Sequence, residues 1–159
     1  MKPALRYSPD LETLRDDEAE GLTAVEEGLA TILATTLRDE GRGLRAVHAK
    51  AHAYLTGTLS VLPDLPPELA QGMFATPGDY PAILRVSTNP GDVLDDSISL
   101  PRGIALKVLG VEGPRLPGAE GDAQDFLMVN APVFASPDPA DFARSLKLLA
   151  LTTDRLEWA

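Results

Sequence analysis

The sequence contains two histidines, His48 and His52, and no cysteine. A neutral imidazole can take up and return a proton near neutral pH, so these rings are the side chains best suited to acid–base chemistry. Their spacing would place both rings on one face of a helix, as in some metal-binding pairs. No third ligand stands nearby and the segment is typical of a strand, so we predict no dedicated metal site.

Other kinds of reactive site are excluded by residue type. The absence of cysteine excludes disulfides, thiolate catalysis and cysteine-bound zinc or iron–sulfur clusters. No Gly-rich phosphate loop, Gly-x-Ser-x-Gly elbow or paired-carboxylate motif is convincing. Residue types alone leave two interpretations of His48: an acid–base residue, or a core imidazole hydrogen-bonded to the backbone.

Composition limits the class of protein and its partners. The chain has 159 residues, 44% of them hydrophobic, which suits one globular domain. Asp and Glu outnumber Lys and Arg by 24 to 14, giving a net charge of −10, which disfavours nucleic acid and anionic membranes as partners. No apolar run has the length of a signal peptide or a membrane span, so we predict a cytoplasmic location.

The elements that must position the histidines can be read from periodicity. We predict a helix over residues 11–38, because apolar residues recur there at spacings of three and four (Leu22, Val25, Leu29, Ile32, Leu33 and Leu37). Four strands are predicted, over residues 44–61, 82–88, 103–109 and 125–130, with a helix as the alternative for 45–55. A short helix at 68–71, a loop at 111–122 and a closing helix at 140–152 complete an α+β fold.

Four short motifs follow one another around these strands. They are Arg45-Ala-Val-His-Ala-Lys50, Arg85-Val-Ser-Thr88, Pro101-Arg-Gly-Ile-Ala-Leu-Lys107 and Asn130-Ala-Pro-Val-Phe134, the last followed by Phe142. The ordered set resembles the distal half of the haem-dependent catalase-like superfamily, in particular its small catalase-related peroxidases. The resemblance implies a partial antiparallel β-barrel of the catalase type, with an N-terminal helical arm over 1–43, the N-terminal half of the barrel domain over 44–159, and a C-terminal helix.

The resemblance also assigns roles to individual residues. It implies that His48 is the distal acid–base residue, that Ser87 orients its ring, and that Asn130 is a further catalytic residue. It implies that haem is bound by Arg45, Val47, Arg85, Gly103, Phe134 and Phe142. The guanidinium groups suit the haem propionates, and a glycine would let the flat macrocycle approach the backbone closely.

Two features of the motifs need a structural explanation. Val129 stands where the family has the first, catalytic asparagine of a pair, and Asn130 matches the second; a shift of one residue in a strand turns a side chain to the other face. Arg45 and His48 are three residues apart, so a regular strand would point them to opposite faces. We therefore expect a twist or bulge between them.

The iron ligand of the family is missing from the sequence. Catalases bind iron through a tyrosine in an Arg-x-x-x-Tyr motif, and Tyr7, Tyr54 and Tyr80 have no such context. We therefore expect that the proximal ligand is not present in this chain and that the domain is truncated. Open sheet edges would then allow self-association.

These observations lead to one functional expectation and one alternative. The expected function is haem-dependent decomposition of a small-molecule peroxide, as a catalase or a peroxidase, with His48 moving the proton. The alternative is a non-catalytic half-barrel that binds a ligand or a protein, which the missing tyrosine and Val129 favour.

Overall fold

The computed structural model describes residues 8–115 and 118–153, which form an α+β fold, as predicted. Residues 1–7, Leu116, Pro117 and residues 154–159 lie outside the described residues. Within them the helices are α1 (Glu18–Glu40) and α2 (Pro139–Thr152), and the strands are β1 (Ala51–Val61), β2 (Gly78–Thr88), β3 (Arg102–Val108) and β4 (Gln124–Val129). Short 3₁₀ helices occupy Pro9–Leu11 and Gly72–Phe74.

The four strands form one antiparallel open sheet in the order β1-β2-β3-β4. The register of β2 and β3 is fixed at both ends: the Leu109 N–H donates to the Pro81 carbonyl at 2.9 Å, and the Asn89 N–H to the Pro101 carbonyl at 3.0 Å. Because each strand pairs with its neighbour in sequence, β1 and β4 are the outer strands of the described sheet.

Helix α1 is shorter at its start than the sequence predicted. It begins at Glu18, where Glu18 and Glu20 carry negative charge at the positive end of the helix dipole. It ends at Gly41, whose φ of +66° is the left-handed conformation that glycine adopts without strain.

The buried face of α1 differs from the predicted leucine stripe. The buried residues are Gly21, Gly28, Ile32 and Thr36, whereas Leu22, Leu33 and Leu37 are exposed. The reason is close packing against α2. A Cβ on Gly21 would lie 2.9 Å from the Ala140 nitrogen, and one on Gly28 would lie 3.1 Å from the Leu146 Cβ. The two helices therefore meet on small residues.

Helix α2 begins at Pro139, one residue before the predicted start. The Asp138 carboxylate accepts a hydrogen bond from the Asp141 N–H at 2.8 Å, and Pro139 occupies the first turn, which is a favourable start for a helix. Arg15 also pairs with Asp138 at 3.0 Å. Ala143 and Leu146 are the buried residues of this helix.

The described residues fall into two compact units. The strand unit comprises residues 8–12, 53–85, 104–115 and 118–128, and the His48 unit comprises 13–52, 86–103 and 129–153. The strand unit buries Val61, Ala82, Val108 and Val111. The His48 unit buries Ile32, Leu94, Ala143 and Leu146. The division into 1–43 and 44–159 that the family resemblance implies stays a prediction.

The predicted strand over 44–61 is confirmed from Ala51 to Val61 only, and the predicted short helix over 68–71 is wrong. Residues 44–50 form no regular strand, because His48 has a φ of +54°, which no strand accommodates. Residues 68–71 form turns, and the short helix follows at Gly72–Phe74. The other predicted strands lie within a few residues of their observed bounds. Neither helix of the described residues has the length and apolar character needed to cross a membrane.

Candidate functional site

The segment before β1 places His48 by backbone hydrogen bonds. The His48 N–H donates to the Asn89 carbonyl at 2.7 Å, and the Ala49 N–H donates to the Pro90 carbonyl at 3.2 Å. A left-handed φ is uncommon for a residue with a Cβ and costs free energy unless its surroundings hold it. These two bonds hold it here, so the orientation of the His48 side chain is set by the residues that follow β2.

The ring of His48 meets the hydroxyl that the sequence motifs predicted. His48 Nδ1 lies 3.0 Å from Ser87 Oγ, and Ser87 is buried, with 4% of its surface exposed. Ser87 Oγ also lies 3.5 Å from the Gly103 carbonyl. If Ser87 donates to this carbonyl it accepts from the ring, and His48 then carries its proton on Nδ1 and a lone pair on Nε2.

Gly103 is required by the histidine ring itself. A Cβ on Gly103 would lie 2.5 Å from His48 Cε1, 2.8 Å from His48 Nδ1 and 3.3 Å from Ser87 Oγ. The sequence argument explained this glycine by the approach of a macrocycle. The structure gives a different reason, because any larger residue would displace the His48 ring from Ser87.

Two further predicted residues, Arg45 and Val47, lie in the same irregular segment as His48. Arg45 is exposed and Val47 is half-buried. Since residues 44–50 are not a strand, the alternation that opposed Arg45 to His48 does not apply, and the expected bulge is replaced by the irregular segment. Arg85 lies in β2 and is half-buried within the strand unit.

Asn130 holds the start of β3. Its Oδ1 accepts from the Arg102 N–H at 2.7 Å, while its own N–H donates to the Arg102 carbonyl at 3.0 Å. Val129, the residue at the position of the family's first asparagine, is the last residue of β4. The Asn130 side chain is therefore used to fix the backbone of Arg102, a role that the motif did not predict.

The two predicted phenylalanines form a pair. The ring centroids of Phe134 and Phe142 are 5.3 Å apart with the planes at 63°, an edge-on contact. Phe134 is 62% exposed and Phe142 is half-buried at the start of α2. The pair presents an aromatic surface in the His48 unit.

A polar cluster that sequence reasoning missed lies in the same unit. We call Lys50, His52, Thr88, Asp96 and Arg102 the Arg102 cluster. Arg102 Nη1 lies 3.0 Å from His52 Nε2, and Thr88 Oγ1 contacts both groups. Asp96 Oδ1 lies 2.7 Å from Lys50 Nζ and 3.4 Å from His52 Nδ1. The hydrogen bond and charge of Lys50 hold the pKa of Asp96 below its ordinary value.

A separate cleft lies in the strand unit. It encloses about 300 Å³ and is lined by Gly72, Met73, Thr76, Tyr80, Gly110 and Glu112. It contains none of the predicted site residues. All the predicted site residues except Arg85 lie in the His48 unit.

Comparison of the chain with protein-family models, with curated proteins and with solved structures finds no match. The functional argument consequently depends on the sequence motifs and the geometry of the site.

Proposed function

We propose that His48 and Ser87 are the distal acid–base pair of a haem-dependent catalase or peroxidase of the catalase-like superfamily. The observation that carries the proposal is the 3.0 Å contact between His48 Nδ1 and Ser87 Oγ, two residues separated by 39 positions. They come from different motifs, and the motif comparison requires this pair to be in contact.

The chemistry that this pair can perform is proton transfer within a peroxide. Heterolytic cleavage of the O–O bond requires a proton to leave the near oxygen and reach the leaving oxygen. His48 would accept and return that proton at Nε2. Ser87 would keep the other ring nitrogen protonated and the ring fixed, and buried surroundings would strengthen that contact. When bound, haem iron would supply the redox chemistry of the cleavage.

The described residues fit a haem group on its distal side only. Arg45 offers an exposed guanidinium suited to a propionate, whereas the space beside Gly103 is occupied by the His48 ring. Within residues 8–115 and 118–153, no group of three His, Cys, Asp or Glu side chains could hold a metal ion. The residues that would hold haem are those that the motifs assign, namely Arg45, Val47, Arg85, Gly103, Phe134 and Phe142.

The same family implies that the sheet is part of a catalase-type barrel. Two observations support this proposal: the strands follow each other in sequence order, and both outer strands expose large apolar side chains, such as Tyr54 on β1 and Leu127 on β4. In a closed barrel the edges disappear and alternate residues face the interior. Further strands, or a second copy of this chain, would provide that closure.

Reconstitution with haemin tests the proposed function. We expect a Soret band in the haemin-loaded protein and weak peroxide turnover, because the motifs supply no proximal tyrosine. His48→Ala should lower that turnover by about 10²–10⁴-fold. His52→Ala is the matched comparison, because it removes the other histidine of the chain. Turnover that survives His48→Ala but is lost in His52→Ala would show that His52 transfers the proton, which contradicts the proposal.

Two serine variants separate the role of Ser87 beside His48 from the general effect of losing a serine hydroxyl in the same unit. Ser87→Ala removes the hydroxyl beside His48, and we expect turnover to fall by about ten-fold, since a hydrogen bond of roughly 1.5 kcal/mol orients the ring. Ser99→Ala changes an exposed serine in the same unit and should leave turnover unchanged. Equal rates in the two variants would remove Ser87 from the mechanism.

A second candidate function is a non-catalytic module that binds an apolar ligand or a protein. The exposure of Leu127, Val133 and Phe134 in and after β4 favours it. Under this alternative the protein stays colourless with haemin while remaining folded and monodisperse. A Soret band that depends on His48 would argue against it.

A further inference from the structure

The Arg102 cluster and the His48–Ser87 contact both use neighbouring residues of β2 and β3. Ser87 and Thr88 are neighbours in β2, and Gly103 and Arg102 are neighbours in β3. Consecutive side chains of a strand point to opposite faces of the sheet. One face of the sheet therefore carries Ser87 and the His48 ring, which lies over Gly103. The other face carries Thr88 and Arg102.

The hydrogen-bonding groups of the cluster define the state of His52. A guanidinium can only donate, so His52 Nε2, at 3.0 Å from Arg102 Nη1, must accept. The ring proton is then on Nδ1, which faces Asp96 Oδ1 at 3.4 Å. Thr88 Oγ1 accepts from Arg102 Nη1. Arg102 thus connects the first residues of β3 with the last residue of β2 and with β1.

Two hydrogen bonds with Asn130 also fix the backbone of Arg102. Its N–H donates to Asn130 Oδ1 and its carbonyl accepts from the Asn130 N–H. The next residue is Gly103, where the distance from an added Cβ to His48 Cε1 is only 2.5 Å. A small displacement of β3 at this point would therefore change the space available to the His48 ring.

We propose that Arg102 is a positioning residue for His48, acting through Thr88 and Gly103 from the opposite face of the sheet. By binding Thr88, Arg102 sets the distance between β2 and β3 where Ser87 contacts the ring. The catalytic consequence rests on the proposed peroxide function. The effect on the ring itself does not, because the His48–Ser87 contact exists in the protein without haem.

Nitrogen-15 NMR of the histidine rings tests this proposal on the full chain without haem. The chain has two histidines, so His48→Gln and His52→Gln assign both rings. In the unmodified protein we expect both rings to be protonated at Nδ1. In Arg102→Met we expect the His52 ring to lose its single tautomer and the His48 signals to shift or broaden as its contact with Ser87 loosens.

Two variants calibrate the measurement. Arg102→Lys keeps the positive charge but lacks the planar guanidinium with its several donors. Its His48 signals should therefore lie between those of the unmodified protein and those of Arg102→Met. Arg42→Met removes the same charge from an exposed position of the His48 unit and should leave both rings unchanged. If Arg102→Met fails to fold, Thr88→Val replaces it, because it deletes one acceptor while preserving the shape of the side chain.

The outcomes separate this proposal from the proposed function. His48 signals that remain at their original positions in the folded Arg102→Met or Thr88→Val protein overturn the positioning role. If the haemin-loaded protein turns over peroxide, Arg102→Met should lower kcat by on the order of ten-fold, as expected for a slightly misplaced group. If it shows no turnover at all, the peroxide function fails, and the ring signals still decide the role of Arg102.

Discussion

The two units of the molecule bury different kinds of side chain. The buried polar residues of the described chain all lie in the His48 unit: Thr36, Ser87, Thr88, Asp92 and Thr153. The buried side chains of the strand unit are apolar: Val61, Ala82, Val108 and Val111. Buried polar groups are costly unless they are hydrogen-bonded, and none of the described ones lacks a partner.

This difference is consistent with the proposed function, which assigns proton transfer to the His48 unit. Directional contacts such as that of His48 with Ser87 fix the orientation of reactive atoms, whereas apolar packing fixes only shape and volume. Both units leave large apolar side chains exposed, among them Tyr54 and Leu127 in the strand unit and Val133 and Leu148 in the His48 unit. The buried polar contacts of the His48 unit, and not its exposed surface, therefore distinguish it from the strand unit.

Truncation of one apolar side chain in each unit should give the largest difference in the free energy of unfolding. Ile32 is fully buried on α1, and Ile32→Ala should lower the free energy of unfolding by about 2–5 kcal/mol, through lost burial and the cavity it leaves. Leu127 is 81% exposed, and Leu127→Ala should change it by no more than about 0.5 kcal/mol. Urea denaturation of both variants measures the contrast. A large loss for Leu127→Ala would mean that β4 is covered in solution.

Adding one methyl group at a strand glycine of each unit tests the same comparison of stability. Gly103→Ala would place a Cβ 2.5 Å from His48 Cε1, and overpacking of this kind costs about 1–3 kcal/mol. Gly57, in β1, has nothing within 4 Å of such a Cβ, so Gly57→Ala should stabilise the protein by roughly 0.5 kcal/mol. Thermal unfolding midpoints should move in opposite directions. Midpoints that fall equally would show that the space at Gly103 is unimportant.

The local elements of the fold were predictable because local sequence determines them. Helix α2 follows from Asp138, which caps the helix, and Pro139, which is compatible with its first turn. Three of the strands follow from short apolar runs between turn residues. The α+β class follows from their order along the chain.

The features that depend on contacts between distant residues were not predictable from pattern. The buried face of α1 depends on Gly21 and Gly28, which periodicity counts as neither apolar nor polar, and it becomes evident only when α2 is in place. The left-handed conformation of His48 depends on the carbonyls of Asn89 and Pro90. Propensity could not indicate it for a residue with a Cβ.

The candidate site shows the same limit. The contact of His48 with Ser87 was expected from the resemblance to a family, since nothing in the spacing of the two residues indicates it. The Arg102 cluster joins residues from three separate segments, 50–52, 88 and 96–102. The one available signal was the position of Thr88 beside Ser87 and of Arg102 beside Gly103. That signal has meaning only when the strands are known to be paired.

The start of α2 offers a smaller test of directional contacts in the His48 unit. Asp138→Ala removes the cap of the Asp141 N–H and the pairing with Arg15, and it should cost about 1 kcal/mol. Asp138→Asn retains a capping oxygen but not the charge, so it should recover most of that loss. Chemical denaturation of the two variants compares them. Equal losses would assign the effect to the ion pair with Arg15 instead of the cap.

The smallest effect is expected from the pH dependence of Asp96. The hydrogen bond and charge of Lys50 lower its pKa in the folded protein, His52 adds to this effect, and Asp95 opposes it. A carboxyl whose pKa is lowered by folding stabilises the protein above its unfolded pKa, and the stabilisation is lost as the pH falls through the folded pKa. Lys50→Met should therefore reduce stability near neutral pH and have less effect in acid.

Because Asp96 is exposed, the difference should be small and should shrink in high salt. Denaturation of both proteins at neutral and acid pH measures it, and a loss that is the same at both would show that Lys50 acts through its bond to the Leu94 carbonyl and not through its charge.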